Sequence, residues 1–152
     1  MRVELPDRAF WCTLGGGIEG RESVEAAVRR ELYEETGLTD AEVRWGPPIW
    51  HGEHVLERGG VATLLQEIFV VAYAQQVQPT TAGLTQEEKE VTKEFRWWSL
   101  EAMQASKELI VPPSMKRHLE PILRGDMPEK PIEIDLRDQL AVPGNQQETG
   151  SR

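Results

Sequence analysis

Between Gly15 and Leu38 the chain reads GGGIEGRESVEAAVRRELYEETGL, and the second half of that stretch restricts the fold more than any other feature. From Val24 to Glu35 every residue is an acceptable helix former. Ser23 stands where its hydroxyl can accept a free N–H of the first turn, and Gly37 where a left-handed residue closes the last. At about 100° per residue, Val24, Ala27, Val28 and Leu32 share one broad arc that has to face the protein body. Glu31 and Glu35 fall inside that arc, Glu34 lies at its edge beside Ala27, and Arg30 is displaced toward the other border. A carboxylate turned toward the body is costly unless it is paired, hydrogen-bonded or bound to a cation. Such a helix is either a decorated rim, with Arg30 paired to a neighbour such as Glu34, or one wall of a cation site.

The loop before it favours the second reading. Gly15, Gly16 and Gly17 let backbone carbonyls and N–H groups approach a ligand closely. Clustered carboxylates with a backbone carbonyl form an oxygen-only donor set suited to Mg²⁺ or Mn²⁺, which retain waters and bind phosphate oxygens. No cysteine pair or histidine ladder argues for structural zinc. The net charge of −9 over 152 residues argues against non-specific attraction to nucleic acid or anionic lipid. It also makes a phosphorylated ligand a poor guest unless divalent cations screen the site.

The rest of the chain reads as a single domain over residues 1–135, followed by a flexible tail over 136–152. Ala9 to Leu14 is a strand, and Met1 to Arg8 is short and mixed. Ala41 to Trp45 is a strand broken by Gly46-Pro47-Pro48, with a further strand from Ile49 to Leu56. Glu57 to Gly60 is a hairpin turn, and Val61 to Gln75 is the clearest strand in the chain. Gln76 to Lys89 is a polar loop, Phe95 to Ser99 a strand end, and helices begin at Leu100 and after Pro112-Pro113. The single Cys12 cannot form an intrachain disulfide and reads as a small core residue. No run approaches the roughly 18 apolar residues of a bilayer span. The N-terminus lacks a basic-then-apolar signal pattern, so a cytoplasmic protein is expected.

Gly16, Glu22, Arg30, Glu31, Leu32, Glu34, Glu35, Gly37 and Leu38 together resemble the Nudix box. Its pattern is Gly, five residues, Glu, seven residues, Arg-Glu, an aliphatic, any residue, Glu-Glu, any residue, Gly, an aliphatic. From background composition, a full match at a given start is expected on the order of once in a billion. WHGEHV, LLQEIFVVAY, LTQEEKEVTKEFRWWSLEAM and LIVPPSM also resemble parts of such a domain, so the likeness covers roughly residues 9 to 134. It implies an α/β/α sandwich with a mixed β-sheet. Leu14 and Arg21 stand where the family often has Pro and Gly. Family members usually carry one or two further strands ahead of FWCTLGGG, so the N-terminal part of the sheet is expected to be missing or shortened. The chain is then truncated, completed by a partner, or left with an exposed edge.

The resemblance implies Mg²⁺-dependent hydrolysis of a nucleoside diphosphate linked to another moiety, with Mn²⁺ as the alternative ion. By matching position, Glu34 and Glu35 are the main metal ligands, with the Gly16 carbonyl. Glu31 is a further ligand or the base that orients the attacking water, and Glu31 and Glu35 remain alternatives for that base. Arg30 holds a box glutamate in place, and Glu22 is structural. Glu88, with Glu90 as runner-up, is the further acid from the loop before the Trp-containing strand; the competing reading is a solvated charge run. Trp50, His51 and His54 are candidates for the substrate cleft, though a surface turn accounts for the histidines as well. Trp97 and Trp98 are adjacent on a strand, so one faces in and the other out; His118 is expected in solvent. The expected partner is a small nucleoside diphosphate derivative, with no nucleic-acid polymer and no membrane, and a homodimer is one arrangement. The competing readings are a Nudix-fold nucleotide-binding or regulatory module that does not hydrolyse, and a truncated product inactive alone. The residues leave the substrate itself open.

Overall fold

A computed structural model describes residues 1–58, 60–75, 79 and 83–136. In chain order the elements are β1 (Arg2–Leu5), β2 (Arg8–Cys12), α1 (Val24–Thr36), β3 (Val43–Arg58), β4 (Val61–Ala74), α2 (Gln86–Val91), β5 (Thr92–Glu94), α3 (Leu100–Ala105), β6 (Ile110–Val111), α4 (Met115–Leu123) and β7 (Ile132–Glu133). They form two mixed sheets, ordered β5-β1-β2-β6 and β4-β3-β7. In the first, β1 and β2 make an antiparallel hairpin from Arg2↔Trp11 to Leu5↔Arg8, and β6 runs parallel to β2. The segment before Ala9 therefore contains a strand, and β5 covers its outer edge.

In the second sheet, the register pairs Trp50 with Phe69 and His51 with Ile68. Because side chains alternate along a strand, these two pairs point to opposite faces. Trp50 and Phe69 pack into the core with Met115 and Ile122 of α4, joined by Trp11, Ile110 and Met103. His51 and Ile68 instead look toward Val24 and Val28 of α1 across a cavity. The β4-β3-β7 sheet thus has α4 on one face and α1 on the other. This is the expected α/β/α layering.

Helix α1 forms for the reasons its sequence suggests. The Ser23 hydroxyl accepts the Ala26 N–H at 3.2 Å. Gly37, at φ 77°, closes the helix with its N–H donated to the Tyr33 carbonyl. Its buried residues are Ala27, Glu31, Glu35 and Thr36, so the inward arc does carry the two acids.

Four expectations change. Gly46-Pro47-Pro48 does not end a strand: β3 runs through it, with register shifts between Trp45 and Pro48 and between Pro48 and Trp50. Such irregularities absorb a proline that a regular ladder would reject. Within the Gln76–Lys89 stretch, Thr85 starts α2 through a reciprocal capping box with Glu88. The strand near the tryptophans is Thr92–Glu94, and Phe95 to Ser99 follows it without ladder pairing. Leu136, expected to open the tail, is 1 % exposed and sits against Gly52, where a Cβ would stand 2.7 Å from the Ile134 carbonyl oxygen. The remainder of the expected tail, Gly59 of the hairpin turn, and 76–78 and 80–82 of the expected loop lie outside the described residues. Among the described residues no helix is long and apolar enough to cross a membrane.

Candidate functional site

The glycine loop leaves β2 and folds directly onto α1. Gly15, at φ 136°, donates its N–H to Glu35 Oε2 at 2.7 Å. Gly16 lies against Glu31, and a Cβ there would collide with the Glu31 carboxylate. Only glycine allows this approach, which brings the loop backbone beside the two inward acids. Glu31 is 8 % exposed and Glu35 3 %.

Arg30 ties loop to helix. Its Nη2 donates to Glu22 Oε1 at 2.6 Å and to the Gly17 carbonyl at 2.8 Å. Its Nη1 donates to Glu31 Oε1 at 2.8 Å and to Glu34 Oε2 at 3.2 Å. Glu22 Oε1 also accepts the Glu19 N–H at 2.8 Å. The Arg30 hydrogen bond holds the Glu22 carboxyl below its ordinary range, and Glu22 and Glu31 in turn raise the guanidinium. The arginine expected on the outer border therefore orders three acids and a carbonyl at once.

Burial works the other way on the inward pair. It raises Glu31 despite the opposing hydrogen bond from Arg30, with Glu34 and Glu88 adding to the rise. It pushes Glu35 up to about 7 against the favourable Gly15 N–H, and Glu31 and Glu88 push it further. These are carboxylates held where a negative charge is poorly tolerated, a combination that favours cation binding.

Glu88 reaches the same neighbourhood from α2. Its Oε2 accepts the Thr85 N–H and hydroxyl, each at 2.7 Å, so its carboxylate is engaged in the cap. The loop ahead of it rests on α1: a Cβ on Gly83 would stand 2.7 Å from the Glu34 Cα. Among the described residues, no three His, Cys, Asp or Glu side chains are gathered to hold an ion as they stand. The Arg30 guanidinium binds the carboxylates of Glu22, Glu31 and Glu34. The donor chemistry fits a hard divalent cation: carboxylate oxygens beside a glycine backbone, and no sulfur.

The outer candidates divide. Trp50, expected in the cleft, is 2 % exposed and packs against Phe69 and His118 in the core; it belongs to the inner face of β3. His51, its neighbour on the other face, lines a cavity of about 520 Å³ beside α1. Adjacent strand residues cannot share a face, so only one of the two could meet a common ligand. The residue missed from sequence is Trp45, which lines that same cavity. His54 is buried on β3, its Nδ1 3.4 Å from Glu67 Oε1, and is not on a surface turn. His118 is half-buried at the edge of Trp50 and not solvated. Trp98 packs on the core while Trp97 is about half exposed, although neither lies in a strand. Burial pushes the Cys12 thiol up to about 11, which makes it an inert packing residue.

A family model described as NUDIX domain matches residues 2–119. The match begins at the first residue of β1 and takes in α1, the β3–β4 hairpin, α2, α3 and most of α4. No curated protein matches the chain.

Proposed function

This chain belongs to the Nudix family, and we propose that it is a Mg²⁺-dependent hydrolase that cleaves the diphosphate bond of a nucleoside diphosphate linked to another moiety. Hydrolysis of pyrophosphate bonds in nucleoside diphosphate-linked substrates is the general activity that the domain carries. The observation that supports metal dependence is the burial of Glu31 and Glu35 on one face of α1 against the glycine loop, where burial, Glu31 and Glu88 of α2 drive Glu35 up to about 7.

In this reading Glu34 and Glu35 hold the ion with the Gly16 carbonyl, and Glu31 is either a further ligand or the base that orients water. Mn²⁺ is the alternative ion. Bound there, the ion neutralises diphosphate charge and makes water a better nucleophile at neutral pH. The chain's own work is positional. Gly15 fixes Oε2 of Glu35. Arg30 holds Glu31 and Glu34 in register with the loop through the Gly17 carbonyl. Glu88 adds negative charge that strengthens cation binding while its cap anchors α2. Catalysis of this kind is mostly orientation and charge neutralisation, so ligand placement governs the rate.

The test is product release from a panel of nucleotide sugars, ADP-ribose, dinucleoside polyphosphates and oxidised nucleotides, with and without Mg²⁺. The reading requires at least one substrate whose turnover depends on the ion and takes up ¹⁸O from solvent into a phosphate product. Tight nucleotide binding without turnover of any member would favour a binding module instead.

A further inference from the structure

Strand β4 lies at the edge of its sheet. The order β4-β3-β7 gives it a neighbour on one side only, and among the described residues it pairs with β3 alone. Its 14 residues span about 46 Å at about 3.3 Å each, beyond the roughly 3–10 residues usual for a strand. Edge strands are normally blunted by charge, proline or a bulge. β4 carries one charged side chain, Glu67, and no proline. From Trp45 to Pro48 the register advances three residues on β3 against two on β4, and from Pro48 to Trp50 two against one. The bulges therefore belong to β3, and β4 stays regular. Among the described residues its outward N–H and C=O groups have no ladder partner.

The outer half of the hairpin calls for a further strand. β7 pairs with β3 only at Trp50 and His51, so from Glu53 onward the described β3 and β4 form a two-stranded ribbon. Such a ribbon is marginally stable in water until a third strand joins it. Val55 and Leu64 oppose each other on one face, Val61 stands at the tip, and all three are largely exposed. After β7 the described chain turns to Gly52 of β3, where Leu136 packs, and not to the open edge. A matching occupant is a strand of similar length with a free edge of its own. Among the described residues only β4 meets both conditions: β3 is flanked on both sides at Trp50 and His51, and the other strands have two to five residues. Its charge suits pairing with itself. Like charges destabilise a sheet when directly opposite, and under a two-fold axis the two Glu67 side chains meet only if the axis passes through Glu67.

We infer that β4 is the contact edge of a two-fold dimer, pairing antiparallel with β4 of a second copy so that two three-stranded sheets join into one of six strands. Isologous pairing of this kind closes at two chains. Sedimentation velocity of the full chain from about 1 to about 200 µM follows the wild type from monomer to dimer. Leu64→Lys and Val61→Lys place a charge on the open edge at positions 59 % and 64 % exposed, where the monomer does not depend on the side chain. The chain carries −9 and each substitution lowers that charge, so weaker association cannot come from added overall repulsion. The dimer dissociation constant rises at least about tenfold in each. Leu123→Lys on α4, 62 % exposed, leaves it unchanged. Amide hydrogen exchange locates the contact: Val61–Ala74 exchanges more slowly at high protein concentration than at low, and α4 does not change. A monomer throughout the range overturns the inference, and so does a dimer that both edge variants form at wild-type strength. A dimer without concentration-dependent protection of β4, or an open series of larger species, overturns it as well. The wild-type exchange pattern decides even if a variant does not fold.

Discussion

Glu35→Gln offers a test that does not need a substrate. The carboxyl sits at about 7 in the folded chain against 4.5 as its ordinary value. At about 1.4 kcal/mol per pH unit, that difference makes the ionised side chain cost about 3 kcal/mol of folding stability. For an acid whose folded value is raised, the cost is absent below 4.5, develops as pH rises, and is complete above about 7. Glutamine is neutral throughout, nearly isosteric, and can accept the Gly15 N–H through its amide oxygen. Metal-free Glu35→Gln should therefore match the wild type at pH 4 and exceed it at pH 8 by up to about 3 kcal/mol. For a chain of this size that corresponds to a Tm higher by on the order of 6–10 °C. Excess Mg²⁺ should raise the wild-type Tm at pH 8, because it binds the ionised form, and should do little for the variant. Circular-dichroism melts at the two pH values, with EDTA or with Mg²⁺, provide the comparison. A variant less stable than wild type at pH 8 without metal would refute the reasoning, since it would make the ionised Glu35 a stabilising group.

Arg30→Ala releases Glu31 and Glu34 from one guanidinium, and turnover should fall on the order of 10–100-fold in steady-state kinetics, with nucleotide KM changed less than kcat. Gly16→Ala puts a methyl group into the Glu31 carboxylate; the flexible end of that side chain can move, so Tm should hold while Mg²⁺ affinity drops at least about tenfold. Trp50→Ala should cost about 3–5 kcal/mol in urea unfolding, because Trp50 is core; a selective rise in KM with stability intact would return it to the cleft.

Legibility followed the range of the interactions. Helix α1 was readable because its signals are local: a capping hydroxyl at Ser23, a terminating glycine at Gly37 and a 3.6-residue period between them. The inward position of Glu31 and Glu35 came from the same arithmetic and holds in the structure. Pairings that close long loops were not readable. The two-residue strands β6 and β7 exist only because β2 and β3 lie beside them, and no local pattern marks Ile110–Val111 or Ile132–Glu133. The continuation of β3 through Pro47 and Pro48 depends on ladder irregularities that β4 accommodates, while composition alone reads those residues as a break. Trp50 was misplaced although strand alternation already set it opposite His51. Trp45 stands six residues before His51, an even spacing that puts the two on one face of a continuous strand; reading a break at Gly46-Pro47-Pro48 hid it. The link between Arg30 and Gly17 was equally hidden, since it spans the loop and needs the three-dimensional return of the chain.

The central claim is that α1 and the glycine loop together seat a divalent cation. Titration of EDTA-stripped protein with Mn²⁺, followed by electron paramagnetic resonance, measures that seat directly. The account predicts saturable binding to the wild type, displaced by Mg²⁺, weakened at least about tenfold in Glu34→Gln and Glu35→Gln, and little changed in Glu90→Gln. Binding that is undiminished in both box variants, or no saturable binding to the wild type, would contradict it.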